Sequence, residues 1–196
     1  MGLLRRKKLS QRIYRVAAMF ESIARQLRVQ SRNMERQAER KFERVKELYR
    51  KGLTEQAIQD ARKVVVFKRR AVKLDSLAEN LTDISTTLTS MAPLADIKRA
   101  LKDSIKVARS LTGVVSRSTL SELLGELRSL MVELGITVDM LGEPEGMADV
   151  TAEPVPEAEV REVLEKAAME VGAELPEPEL AGLEERLKEL KEKGEK

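Results

Sequence analysis

Lys51-Gly52-Leu53-Thr54-Glu55-Gln56-Ala57 is the stretch on which the architecture turns. Gly52 can end a helix in a left-handed cap, and Thr54 can cap the helix that follows. A connection this short forces the two helices antiparallel, as a hairpin. Each side of the joint carries a long apolar pattern.

Upstream, from about Leu9 to Lys51, apolar or small residues recur at Leu9, Ile13, Val16, Phe20, Ile23, Leu27, Met34, Ala38, Phe42, Val45 and Leu48. The alternating steps of three and four predict one helix with a narrow seam. Some 40 residues at about 1.5 Å each span roughly 60 Å, so this helix needs a partner along its length. Downstream, Ala57, Ala61, Val64, Ala71, Leu74, Ala78, Leu81, Leu88 and Met91 supply it, up to Pro93. Small residues in this second seam favour a close approach. Pro93 predicts a joint, because proline lacks the amide donor and restrains Ala92.

Beyond Pro93, Leu94, Ile97, Leu101, Ile105, Ala108 and Leu111 form a third amphipathic piece. Gly113 weakens the pattern, and residues 116–118 read as another boundary. A fourth helix is expected from Leu120 through Leu123, Leu124, Leu127, Leu130, Met131, Leu134 and Val138 to Leu141. Residues 142–156, rich in Gly, Pro and acid, read as a flexible linker. Two short helices are expected in the remainder, at about 157–171 and 179–193, separated by Leu175-Pro176-Glu177-Pro178. The fold class is therefore all-α: a hairpin over about 9–92, jointed helices over about 94–141, and an acidic tail.

Composition narrows the function. Only five aromatics stand among 196 residues, while 35% are charged, which suits paired helices better than a thick globular core. Cysteine and histidine are absent. Disulfides, ordinary zinc sites, thiol nucleophiles and histidine acid–base mechanisms fall with them. No catalytic constellation, metal site or cofactor motif is expected, and no enzyme. No apolar run is long enough for a spanning helix, and the N-terminus lacks a secretory hydrophobic region.

The net charge of +3 hides a polarity. Residues 1–73 hold 22 Lys/Arg against 7 Asp/Glu (+15), residues 74–141 hold 7 against 9 (−2), and residues 142–196 hold 7 against 17 (−10). A basic front suggests a polyanion partner, and an acidic end suggests a contact with that front. Leu3 and Leu4 can enter a bilayer interface while Arg5, Arg6, Lys7 and Lys8 lie over anionic headgroups, with Arg12 and Arg15 extending the cluster. At about 1 kcal/mol per basic residue near a charged leaflet, the group is worth a few kcal/mol. Arg28, Arg32, Arg36, Arg40 and Arg44, alternating with Glu35, Glu39, Glu43 and Glu47, read instead as a solvated ladder of ion pairs. A nucleic acid is the less favoured polyanion, because only Tyr14 and Phe20 are near enough to stack on bases.

This layout resembles the ESCRT-III superfamily, the charged multivesicular body proteins and their archaeal cell-division relatives. Its basic hairpin with the joint at 51–57, its jointed third and fourth helices, its acidic linker and its tail helices follow the family's order. The sharpest local match is to the family's type 1 MIT-interacting motif: Leu183, Arg186, Leu187, Leu190 and Lys191 keep its spacing. The motif's first acid is replaced by Leu180, beside Glu179. Leu183, Leu187 and Leu190 fall on one helical stripe suited to a groove between partner helices.

The resemblance implies a filament-forming subunit on the inner face of the plasma membrane, self-associating and joining related subunits to remodel, constrict or sever it. It implies a closed soluble form and an open polymerising form, with hinges at Gly52, Pro93 and Gly113. It also implies an MIT-domain AAA ATPase that extracts subunits by the tail. A basic coiled coil that binds nucleic acid or acts as a structural scaffold is the alternative.

Overall fold

A computed structural model describes residues 2–90, 94–136 and 154–172, with side chains from Lys8 onward. It is all-helical: α1 Gly2–Arg50, α2 Thr54–Thr89, α3 Leu94–Ser110, α4 Arg117–Glu133 and α5 Glu157–Val171. No strand occurs among the described residues. The contacts divide the chain into one unit of residues 1–36 with 67–154 and another of 37–66 with 155–196.

In the first unit, α1 and α2 run antiparallel and close. Ser31 Oγ donates to the Ala71 carbonyl at 3.0 Å, and Ser85 Oγ donates to the Ala17 carbonyl at 3.1 Å. Fourteen residues back along α1 therefore correspond to fourteen residues forward along α2, so the register holds without slip. Hydroxyls can reach the facing backbone only because Ala17, Ala24, Ala71 and Ala78 keep the contact shallow. The core also takes Val16, Phe20, Ile23 and Leu27 from α1, Leu81 from α2, Leu101 and Ala108 from α3, and Leu123, Leu127 and Leu130 from α4. Each fully buried leucine contributes about 1.5–3 kcal/mol relative to exposure.

The α3–α4 joint forms as expected. Gly113 has φ +79, and the Val114 and Val115 amides both return to the Leu111 carbonyl. Ser116 caps α4, its Oγ accepting from the Thr119 amide at 3.2 Å.

α4 stops at Glu133 rather than continuing to Leu141. Gly135, at φ +64, donates to the Val132 carbonyl, and Ile136 donates to the Met131 carbonyl at 2.8 Å. This pair of bonds is a Schellman stop, sealed by burial of Ile136 and Met131. Apolar spacing runs on past Gly135, so periodicity overran the end. α1 also differs from expectation, starting at Gly2 instead of near Leu9.

In the second unit the same stop closes α1. Gly52 at φ +67 donates to the Tyr49 carbonyl, and Leu53 donates to the Leu48 carbonyl, both at 3.0 Å. The Leu53 carbonyl then accepts from Ala57, so Thr54 is the first helical residue rather than the cap before it. The tip buries Ala38, Val45 and Leu48 of α1 with Ala57, Ile58, Ala61, Val64 and Val65 of α2. α5 buries Val160, Val163, Leu164, Ala167 and Ala168, at steps of three, one, three and one, which is a single helical stripe.

Candidate assembly and membrane-binding surfaces

The proposed anchor residues Leu3, Leu4, Arg5, Arg6 and Lys7 belong to the first turns of α1, and Lys8 is exposed. Arg12 is half-buried, and Arg15, though exposed, stands beside a carboxylate of α4. Arg12 Nη1 donates to Glu133 Oε2 at 3.1 Å, and its Nη2 contacts Ser129 Oγ and stands 3.5 Å from Glu126 Oε2. Arg15 Nη1 lies 3.5 Å from Glu126 Oε1. Two residues assigned to a polyanion surface are therefore held by carboxylates of α4. The spacing on α1 revealed their charge; it could not reveal acids more than a hundred residues away.

The Arg/Glu ladder is partly engaged between helices rather than wholly solvated. Arg28 donates to Thr82 Oγ1 at 2.9 Å in the first unit. In the second, Arg44 Nε stands 3.1 Å from Asp60 Oδ2. Asp60 is the centre of a charge cluster that sequence reasoning passed over. Its side chain is 7% exposed, and Lys41 and Lys63 each donate to Oδ1 at 3.3 Å. Oδ2 takes no aligned hydrogen bond, although Arg44 is within ion-pair distance. The available signal was an acid lodged in the apolar stripe between Ala57 and Ala61.

Burial alone would raise the Asp60 carboxyl, but hydrogen bonds and charge from Lys41 and Lys63 outweigh it and hold it below its ordinary value of 3.8. The carboxylate is thus favoured by folding. Its stabilising contribution is complete above the unfolded carboxyl's pKa and is lost as pH falls through the lower folded value. Asp60→Asn is expected to cost about 1–3 kcal/mol at neutral pH, by losing charge-assisted bonds. In urea titrations followed by circular dichroism, the gap between variant and parent should close below about pH 4. A gap independent of pH would remove Asp60 as its source.

Within the second unit, α5 packs on the hairpin tip through apolar and ionic contacts together. Glu157 accepts from Arg62 at 2.8 Å, and Glu170 accepts from Lys46 at 3.0 Å. Hydrogen bonds to Glu43, and after it Glu170, hold the Lys46 pKa above its usual value. Lys46 and Lys166 stand 5.4 and 5.6 Å from the centre of the Phe42 ring, so α1 and α5 share one aromatic face. The acidic end does meet basic residues here, beside the buried stripe of α5.

Of the three expected hinges, Gly52 and Gly113 both occupy the left-handed region, which favours glycine. Pro93 lies outside the described residues, as do Leu183, Arg186, Leu187, Leu190 and Lys191. Among the described residues, no cluster of acids is arranged to hold a metal, and no helix is long and apolar enough to cross a membrane. Isolated apolar side chains remain exposed at Tyr14, Val29, Val72, Val132 and Met169.

A family model described as Snf7 matches residues 17–189. Charged multivesicular body protein 3 of Xenopus laevis is 26% identical over 163 residues, covering 78% of this chain and 74% of the relative. The protein of the same name from Xenopus tropicalis matches with the same identity and coverage. No solved structure matches significantly.

Proposed function

Because this chain belongs to the Snf7 family of ESCRT-III proteins, we propose that it is a non-enzymatic subunit that polymerises on anionic membranes and remodels, constricts or severs them. Family membership supports the general role of a membrane-remodelling structural subunit. The observation that carries the finer reading is the charge of +15 over residues 1–73, which starts with four consecutive cations on the first turns of α1. Lipid phosphates attract such a surface, and Leu3 and Leu4 add an apolar foothold.

Residues 1–141 act as the polymerising core, 142–156 as a linker and 157–196 as a regulatory tail. With α5 docked, the buried faces of the tip are unavailable to another subunit. Undocking α5 and extending the chain at Gly113 and Pro93 gives the polymerising form. One subunit's hairpin then meets the next head to tail, and an unclosed repeat grows into a filament with itself or with related subunits. Leu183, Arg186, Leu187, Leu190 and Lys191 present the tail to an MIT-domain AAA ATPase, so the energy for disassembly comes from that partner. The site of action is the inner face of the plasma membrane.

The test replaces Arg5, Arg6, Lys7 and Lys8 by Ser and measures co-sedimentation with phosphatidylserine-containing vesicles, with electron microscopy of the pellets. Vesicle affinity should fall by about tenfold or more, since several cations near the leaflet are lost. Undiminished binding would remove the anchor. Preference for DNA over anionic vesicles in direct competition would favour the basic coiled-coil alternative.

A further inference from the structure

We propose that Glu126 and Glu133 of α4 occupy the guanidinium groups of Arg12 and Arg15 in place of bilayer phosphates, so that docking of α4 and binding of anionic lipid exclude each other. This deepens the membrane reading above and rests on it.

Lys8, Arg12 and Arg15 follow one another on α1 at steps of four and three, and so share one helical stripe. Lys8 is exposed, Arg12 is half-buried and paired with Glu133 at 3.1 Å, and Arg15, itself exposed, stands 3.5 Å from Glu126. Glu126 and Glu133 are seven residues apart, which puts both on one side of α4, beside the buried line of Leu123, Leu127 and Leu130. The acids therefore reach the arginines only while that apolar line is seated against the core.

The pairing is incomplete. Glu126 Oε2 is shut off from solvent yet has no aligned hydrogen bond; its nearest charge is Arg12 Nη2 at 3.5 Å. Arg15 reaches Glu126 only at 3.5 Å, and its side chain is 65% exposed. A desolvated carboxylate oxygen without a donor weakens the docked state. A lipid phosphate, by contrast, can accept two parallel guanidinium bonds and stay hydrated. The exchange of partners releases Glu126 to water at the moment the arginines gain phosphates. By linkage, lipid loosens α4 by the same factor by which docked α4 weakens lipid binding.

Full-length protein is compared with Glu126→Gln/Glu133→Gln for co-sedimentation with phosphatidylcholine vesicles, with and without phosphatidylserine. Hydrogen exchange at residues 123–131 is followed in both proteins, free and vesicle-bound. The double variant should bind phosphatidylserine vesicles about fivefold to thirtyfold more tightly, from two cations freed. Its α4 amides should exchange faster even without vesicles. In the parent, phosphatidylserine vesicles should speed exchange at α4, and neutral vesicles should not. Glu133→Gln alone, which leaves Glu126 and the apolar line in place, should give an intermediate gain. Equal affinity of double variant and parent would overturn the competition and leave the membrane reading intact. α4 equally protected on and off the bilayer would overturn it as well. Failure of both proteins to bind any anionic vesicle would overturn both proposals.

Discussion

Leu164→Asp is expected to detach α5 and raise assembly on anionic vesicles by about tenfold or more. Leu164 is 1% exposed at the centre of the stripe formed by Val160, Val163, Ala167 and Ala168. Losing its burial forfeits about 1.5–3 kcal/mol. An unpaired carboxylate in the same apolar place costs several kcal/mol more. The carboxylates of Glu157 and Glu170 are about half exposed, and ion pairs of that kind are too weak to hold the helix alone. Co-sedimentation and electron microscopy read the assembly, while hydrogen exchange at residues 160–168 reports undocking. Rapid exchange there without added assembly would show that α5 does not restrain polymerisation.

Leu187→Asp is expected to weaken binding of the tail to an isolated MIT domain by about thirtyfold to a thousandfold, the cost of a lost apolar hot spot. Leu183, Leu187 and Leu190 recur at steps of four and three. Leu187 is the middle of that ridge, so a charge there must either be desolvated in the partner's groove or lift its neighbours out of it. Residues 183–191 come after the linker and α5 in the sequence and outside the proposed polymerising core of 1–141, so vesicle-induced polymerisation should be unchanged. Fluorescence anisotropy of a labelled tail peptide against the MIT domain gives the affinity directly. Retained affinity would assign the ridge another role, such as packing on its own chain.

Periodicity made most helices legible. A seam with steps of three and four, broken at Gly52, located the α1–α2 hairpin and its joint. Pro156 and Gly172 bracket α5, whose observed bounds Glu157–Val171 match the expected span. The misjudged ends have a common cause. Before Leu9 there is no apolar stripe to signal a helix, yet the backbone of α1 is already helical from Gly2. After Glu133 the stripe persists, yet a left-handed Gly135 ends α4. Apolar spacing reports which face a helix buries, and it is silent on where backbone bonds are capped.

Local order along the chain thus settled the helices, the antiparallel hairpin and the opposition between a basic front and an acidic end, since propensity, spacing and formal charge act over a few residues. What fixed the state of each charge was packing. Arg12 and Arg15 meet Glu126 and Glu133 because α4 folds back across more than a hundred residues. Asp60 meets Lys41 and Arg44 because the hairpin brings two turns of different helices level. Coulomb pairing falls off over a few ångströms, so a charge's sign can be known from composition while its partner depends on the assembled helices.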